Sequence, residues 1–159
     1  MSSATLSPTP VPASGPAPLP GPGPLALRLG YAGLIPFVAG ALLTWLVRPD
    51  AHPYVTLALS AYAAVIVSFL GGIHWGFAMR RAEAVPALLG WGVTPSLLAW
   101  VGVVMPPYAG LVLLGAALVV CYLVDRRLYP VQGAAAWLTL RFRLSAVAAL
   151  SCFIGAAGA

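Results

Sequence analysis

The stretch Ser68-Phe69-Leu70-Gly71-Gly72-Ile73-His74-Trp75-Gly76 lies inside an apolar run from Tyr54 to Met79 that holds no charged residue. A helix of about 20 apolar residues crosses a bilayer core, so this run is long enough to span one. Backbone amides in lipid must be satisfied within the segment or by a closed barrel, and the alternation of a barrel strand is absent, so the run is a helix. It carries an ionisable side chain, His74, into or to the edge of the membrane. Ionisable groups placed there are costly and mark functional sites.

The rest of the chain agrees with a membrane setting. Hydrophobic residues make up 61% and charged residues 7% of 159 positions, with mean hydropathy +0.96. A soluble domain carries about 25% charged residues, so this chain has too little polar surface for water. Four further apolar runs flank the first. They cover about Leu29–Val47, Val85–Met105, Tyr108–Val124 and Leu144–Ala159, each bounded by Arg, Asp or Pro. The expected fold is an all-α, polytopic bundle of five transmembrane helices. The last run is the shortest, and a four-helix bundle results if it does not cross. The link at Pro106-Pro107 is short enough to force an antiparallel hairpin. The uncharged segment Leu128–Leu140, with Pro130, Gln132, Gly133 and Trp137, is expected as a loop with an interfacial or re-entrant piece.

Two units follow: a Pro/Ala-rich tail over 1–24, with eight prolines, and a transmembrane domain over 29–159. The tail lacks the composition for a helix or a core and is expected to be disordered. It has no basic segment leading into an apolar one, as a secretory signal would.

All eight basic residues are Arg, and the net charge is +5. They stand at the ends of apolar runs, which points to membrane orientation and not to nucleic acid. Five crossings place Arg28, Arg80, Arg81, Arg126, Arg127, Arg141 and Arg143 on one side and only Arg48 on the other. The positive-inside rule then puts the N-terminus in the cytoplasm of a cell whose inner membrane holds the protein. Cys121 and Cys152 fall within apolar runs without a CxxC pair and are expected to be buried thiols.

Within the central helix, Ser60, Ala64, Ser68, Gly72 and Gly76 recur every four residues and form a ridge of small side chains. Ser68, Gly72 and Gly76 are expected to pack closely on a neighbouring helix, or on a second copy in a homodimer. His74 lies about 200° away, on the face of Ala63, Val67, Leu70 and Phe77. It is six residues before Arg80, about 9 Å of helix rise. Pro36 and Pro95 each remove a helical hydrogen bond and are expected to kink their helices. A kink at Pro95 would let Thr94 and Ser96 line a cavity with His74 and Trp75. The acids Asp50, Glu83 and Asp125 lie at predicted loops or helix ends and form no evident pair. No phosphate loop, metalloprotease motif or nucleophile elbow is present, so no catalytic set and no metal site are assigned. Haem held by two histidines of one chain is disfavoured, since His52 falls on the opposite side from His74.

The signature Ser68–Gly76 resembles that of a small bacterial membrane family, domain of unknown function 3429, whose eukaryotic relatives include mitochondrial transmembrane protein 69. Similar stretches are Tyr31-Ala-Gly-Leu-Ile-Pro-Phe37, Trp91-Gly-Val-Thr-Pro-Ser-Leu-Leu-Ala-Trp100 and Leu140-Arg-Phe-Arg-Leu-Ser145, and Asp125 fits the pattern. The resemblance covers about Leu29–Ile154. It implies a multi-pass inner-membrane protein and supplies no activity or cofactor. Two functions are carried forward. One is a non-enzymatic component that assists or stabilises a membrane complex through a protein partner. The other is a small-molecule, quinone or haem-handling protein that uses His74.

Overall fold

Prolines mark where the helices begin. Pro24, Pro86 and Pro107 are the first residues of their helices, and Pro36 and Pro53 are the second. At these positions the missing N–H costs no helical hydrogen bond, and the fixed φ already suits the helix. The structure, a computed structural model, describes residues 17–83 and 85–159. Its helices are α1 (Pro24–Ala32), α2 (Ile35–Leu46), α3 (His52–Met79), α4 (Pro86–Val104), α5 (Pro107–Val131) and α6 (Leu138–Ala157). A short 3₁₀ turn, Ala135–Trp137, leads into α6. Among the described residues there is no strand.

Five segments are long and apolar enough to cross a membrane: Pro24–Leu46, His52–Met79, Pro86–Val104, Pro107–Val131 and Ala135–Ala157. The last is 23 residues long, and it is a full candidate span. Three bounds differ from the sequence expectation. The first span starts at Pro24, inside the segment assigned to the tail. The fourth does not stop at Val124 but runs through Asp125-Arg126-Arg127 to Val131. The fifth begins before Leu144, so Leu128–Leu140 is mostly helix and not loop. The last two differences have a common cause. A charge after an apolar run reads as a helix end, whereas Asp125 and Arg141 neutralise each other inside the bundle, as described below. Of the expected tail, residues 1–16 lie outside the described residues. Residues 17–23 lie along the connector before α6, with Leu19 N–H donating to the Gly133 carbonyl at 2.8 Å and Trp137 Nε1 to the Pro20 carbonyl at 2.9 Å.

The first span is divided at Gly33-Leu34, just before Pro36. Tyr62 Oη donates to the Gly33 carbonyl at 2.9 Å, which occupies one carbonyl at the break. At Pro95, by contrast, α4 is continuous. The opposite end of the bundle is closed by side chains that meet the last carbonyls of α6. Trp45 Nε1 donates to the Ile154 carbonyl at 3.2 Å, and His52 Nε2 meets the Gly158 carbonyl at 2.6 Å. Helix-terminal carbonyls have no intrahelical partner, so these contacts fix where α6 ends.

Helix α3 is central and packs against α2, α4, α5 and α6. Its buried face, Leu59, Ala63, Val67 and Leu70, joins Phe37, Leu111, Leu114, Leu118, Cys121, Ala148 and Cys152 in one core. Both cysteines are free and buried.

The small ridge is only half buried. Ser60 and Ala64 are buried and Ser68 is intermediate, but Gly72 and Gly76 are exposed, with open space where a side chain would project. Within the chain, the close approach between helices occurs not at Gly72 or Gly76 but at Gly71. A Cβ added there would meet the Gly92 carbonyl of α4. The ridge winds around the helix by about 40° per step, so a set that starts in the core at Ser60 has turned outward by Gly72. Gly71→Ala should therefore force α3 and α4 apart, costing about 1–3 kcal/mol. The expected outcome is a lower melting midpoint in detergent for Gly71→Ala, with Gly72→Ala and Gly76→Ala close to the parent. Equal losses at all three positions would contradict this packing.

Candidate functional site

Helix α5 carries Asp125 into the bundle with its residue surface 1% exposed. An isolated carboxylate so buried is very costly, and its partners decide whether it is tolerated. Two helices supply them. His74 of α3 donates from Nε2 to Asp125 Oδ1 at 2.9 Å. Arg141 of α6 donates from Nε and Nη2 to Oδ2 at 2.9 and 2.5 Å. His74 and Arg141 are 1% and 8% exposed, so all three groups are withdrawn from the surroundings. Each carboxylate oxygen has its own donor, and the arginine and aspartate charges cancel.

Aromatic side chains enclose this set. The rings of Phe77, Trp91 and Tyr129 stand edge-on to His74 with centroids 6.0, 6.5 and 6.3 Å away. Tyr129 lies one turn after Asp125 on α5, and Trp91 reaches in from α4. Four helices thus meet around this site. Because the carboxylate can only accept, Nε2 is the ring nitrogen that carries the proton toward Asp125. Among the described residues Nδ1 is buried without a partner, as are Trp91 Nε1 and Ser145 Oγ. Such buried polar atoms are uncommon, and each calls for an explanation.

Beside the triad lies a cavity of about 540 Å³ between the first span and helices α3, α5 and α6. That volume falls in the range of about 300–1,000 Å³ usual for small-molecule sites. Its walls are almost entirely apolar, from Phe37 and Leu34 to Ile73, Leu118 and Leu144. The polar members are Tyr129, Arg141 and Ser145. Arg141 and Ser145 are one turn apart on α6, so both lie on one wall. Gly30 and Gly33 keep the opposite wall thin. Leu19, held by its N–H on the Gly133 carbonyl, lines the end nearest the arginine-rich face.

The residues singled out from sequence are not all gathered here. His74 is at the centre of the polar set but is not part of the cavity wall. Trp75 points away, lies across Gly92 and donates to the Leu89 carbonyl at 3.1 Å. Thr94 donates to the Gly90 carbonyl within its own helix at 3.0 Å. Neither Thr94 nor Ser96 lines the cavity, which sits on the other side of α3 from α4. His52 is at the far end of α3, on Gly158, so the two histidines are not brought together. Among the described residues no group of three His, Cys, Asp or Glu is placed to hold a metal. The residues that sequence reasoning misses are Asp125 and Arg141, which read there as a helix end and an orientation charge. A signal for them exists: both belong to the positions that carry the family resemblance, and those positions converge on this site.

The family model for Protein of unknown function (DUF3429) matches residues 23–157. Transmembrane protein 69 of Xenopus tropicalis is 41% identical over 114 residues, covering 66% of this chain and 43% of that protein. Transmembrane protein 69 of Mus musculus is 36% identical over 83 residues, covering 49% of this chain and 33% of that protein. The chain thus spans less than half the length of these curated relatives. No solved structure matches it.

Removing one member of a buried ion pair strands the other, at about 3–5 kcal/mol, whereas removing both is often nearly neutral. Asp125→Leu should therefore lower the melting midpoint in detergent sharply, and adding Arg141→Met should recover most of the loss. A double variant as unstable as the sum of its two single variants would show that the pair is not coupled.

Proposed function

The chain belongs to the DUF3429 family, and we propose that this member holds a small amphipathic molecule inside the bilayer, in the cavity beside Arg141. The observation that carries the proposal is an apolar chamber with its few polar side chains gathered together. An apolar space left unfilled forfeits dispersion contacts, so a recess of this size is favourably occupied by an apolar group. The chamber of about 540 Å³ has room for a small molecule and combines an apolar body with a localised polar patch. An amphipathic ligand matches both features. The localised polar patch within that apolar body favours ligand handling over a role confined to stabilising a partner complex.

In this scheme His74 is a positioning residue. It occupies Asp125 Oδ1 and so leaves Oδ2 to orient the Arg141 guanidinium toward the chamber wall. The ligand enters from the side. Leu29 and Phe69 both line the cavity and are each 65% exposed, so the gap between α1 and α3 opens onto the lipid face.

The proposed compartment is a bacterial inner membrane, with the arginine-bearing end in the cytoplasm. Arg28, Arg80, Arg81, Arg126, Arg127 and Arg143 support that orientation under the positive-inside rule. Arg141 is engaged by Asp125, so it adds less to the bias than its position in the sequence suggests.

Native mass spectrometry of the protein released from membranes tests ligand binding. An amphipathic small molecule should remain with the parent, and Ala26→Trp, which fills the chamber from α1, should lose it while keeping the parent's melting midpoint within a few degrees. Identical spectra for parent and Ala26→Trp would end the proposal. Reporter fusions test orientation. A fusion at the N-terminus should be active only as a cytoplasmic reporter and one at the C-terminus only on the other side. The reverse pattern would contradict the assigned orientation.

A further inference from the structure

The chamber's charge balance narrows the class of molecule it accepts. Among the described residues Arg141 is the only charged one in the wall, and Asp125 already neutralises it. An anionic headgroup would therefore add a net negative charge to an apolar space, a large desolvation cost with no unpaired cation to offset it. A neutral headgroup adds none. Donors are in supply: Arg141 uses two of its five N–H groups on Asp125. Ser145, 4% exposed, has a buried hydroxyl without a partner among the described residues, and Tyr129 brings a phenol to the cavity. Acceptors are fewer: both oxygens of Asp125 are engaged, which leaves the hydroxyl oxygens of Ser145 and Tyr129. A wall with more donors than acceptors, the excess being the three Arg141 N–H groups not used on Asp125, and neutral overall suits a neutral acceptor.

The tail is constrained as well. The lining residues run from Ile66 to Phe77 along α3, about 16 Å of helix rise, with apolar side chains throughout. We infer that the ligand of this site is an uncharged, carbonyl-headed molecule with an apolar tail, its carbonyl oxygen accepting from Arg141 and Ser145. The inference rests on the cavity being a ligand site, as proposed above. Two sources share this chemistry: a prenyl- or alkyl-tailed quinone and a neutral ester lipid.

Titration of the full chain in detergent, read by native mass spectrometry, separates these cases with four probes: a decyl-tailed benzoquinone, methyl dodecanoate, dodecanoate at pH 8 and dodecane. The quinone or the ester should bind about tenfold more tightly than dodecanoate and dodecane, and the tighter of the two identifies the source. Ser145→Ala should weaken that probe about three- to tenfold, the worth of one hydrogen bond, without moving the melting midpoint. Dodecanoate binding as tightly as the neutral carbonyl probes, or four equal affinities all abolished by Ala26→Trp, would overturn the headgroup assignment and leave the cavity as a ligand site. Affinities that Ala26→Trp leaves unchanged for every probe would remove the ligand site itself, and the inference with it.

Discussion

A single carboxylate decides how this bundle closes. Asp125 cannot be left ionised and unpaired at this depth, so α5 must sit where α3 offers His74 and α6 offers Arg141. Apolar packing between membrane helices discriminates poorly, because lipid tails are as apolar as the side chains they replace. A charged and hydrogen-bonded contact discriminates well. It is met at one rotation and one depth of each helix. The triad therefore sets register for three helices at once, and the Phe77, Trp91 and Tyr129 rings fill the space around it.

The rest of the architecture is consistent with that constraint. At the opposite end, Trp45 and His52 secure the last carbonyls of α6. Between α3 and α4 the backbones meet at Gly71 and Gly92, where any side chain would intrude. The first span is the exception. Broken at Gly33-Leu34, it packs against both α3 and α6 through α2, while the α1 half leans on α6 and stands off α3. That divergence opens the cavity. The polar wall of the cavity is the outer side of the triad, so Arg141, which helps hold the helices together, also faces the cavity.

Much of this is legible in the sequence. The five spans follow from hydropathy, and the face of His74, Ala63, Val67, Leu70 and Phe77 follows from helical angle alone; all five are buried. The place of Asp125 is not legible, because a charge after an apolar run looks the same whether the helix stops or continues. Only a partner such as Arg141, sixteen residues away on another helix, separates the two cases. Which part of the ridge packs within the chain is not legible for a related reason. Spacing of four keeps small residues adjacent but does not say which portion of the winding stripe meets a neighbour, and Gly71, outside the stripe, makes the contact. The proline in α4 points to a cavity near Thr94 and Ser96. The cavity lies instead beside the broken first span, since Pro95 sits within an unbroken helix and its neighbour Thr94 bonds back to Gly90.

The arrangement of the helices depends on His74 and Arg141 sharing one carboxylate within the membrane. Solid-state NMR of the protein in lipid bilayers, with ¹⁵N-histidine and ¹³C-aspartate labels, measures that contact directly. With only two histidines and two aspartates in the chain, assignment is tractable. A strong ¹⁵N–¹³C dipolar coupling between His74 Nε2 and the Asp125 carboxyl, lost in His74→Gln, is the expected result. An Asp125 carboxyl with no coupling to any imidazole nitrogen would contradict the central contact and the placement of α3, α5 and α6 built on it.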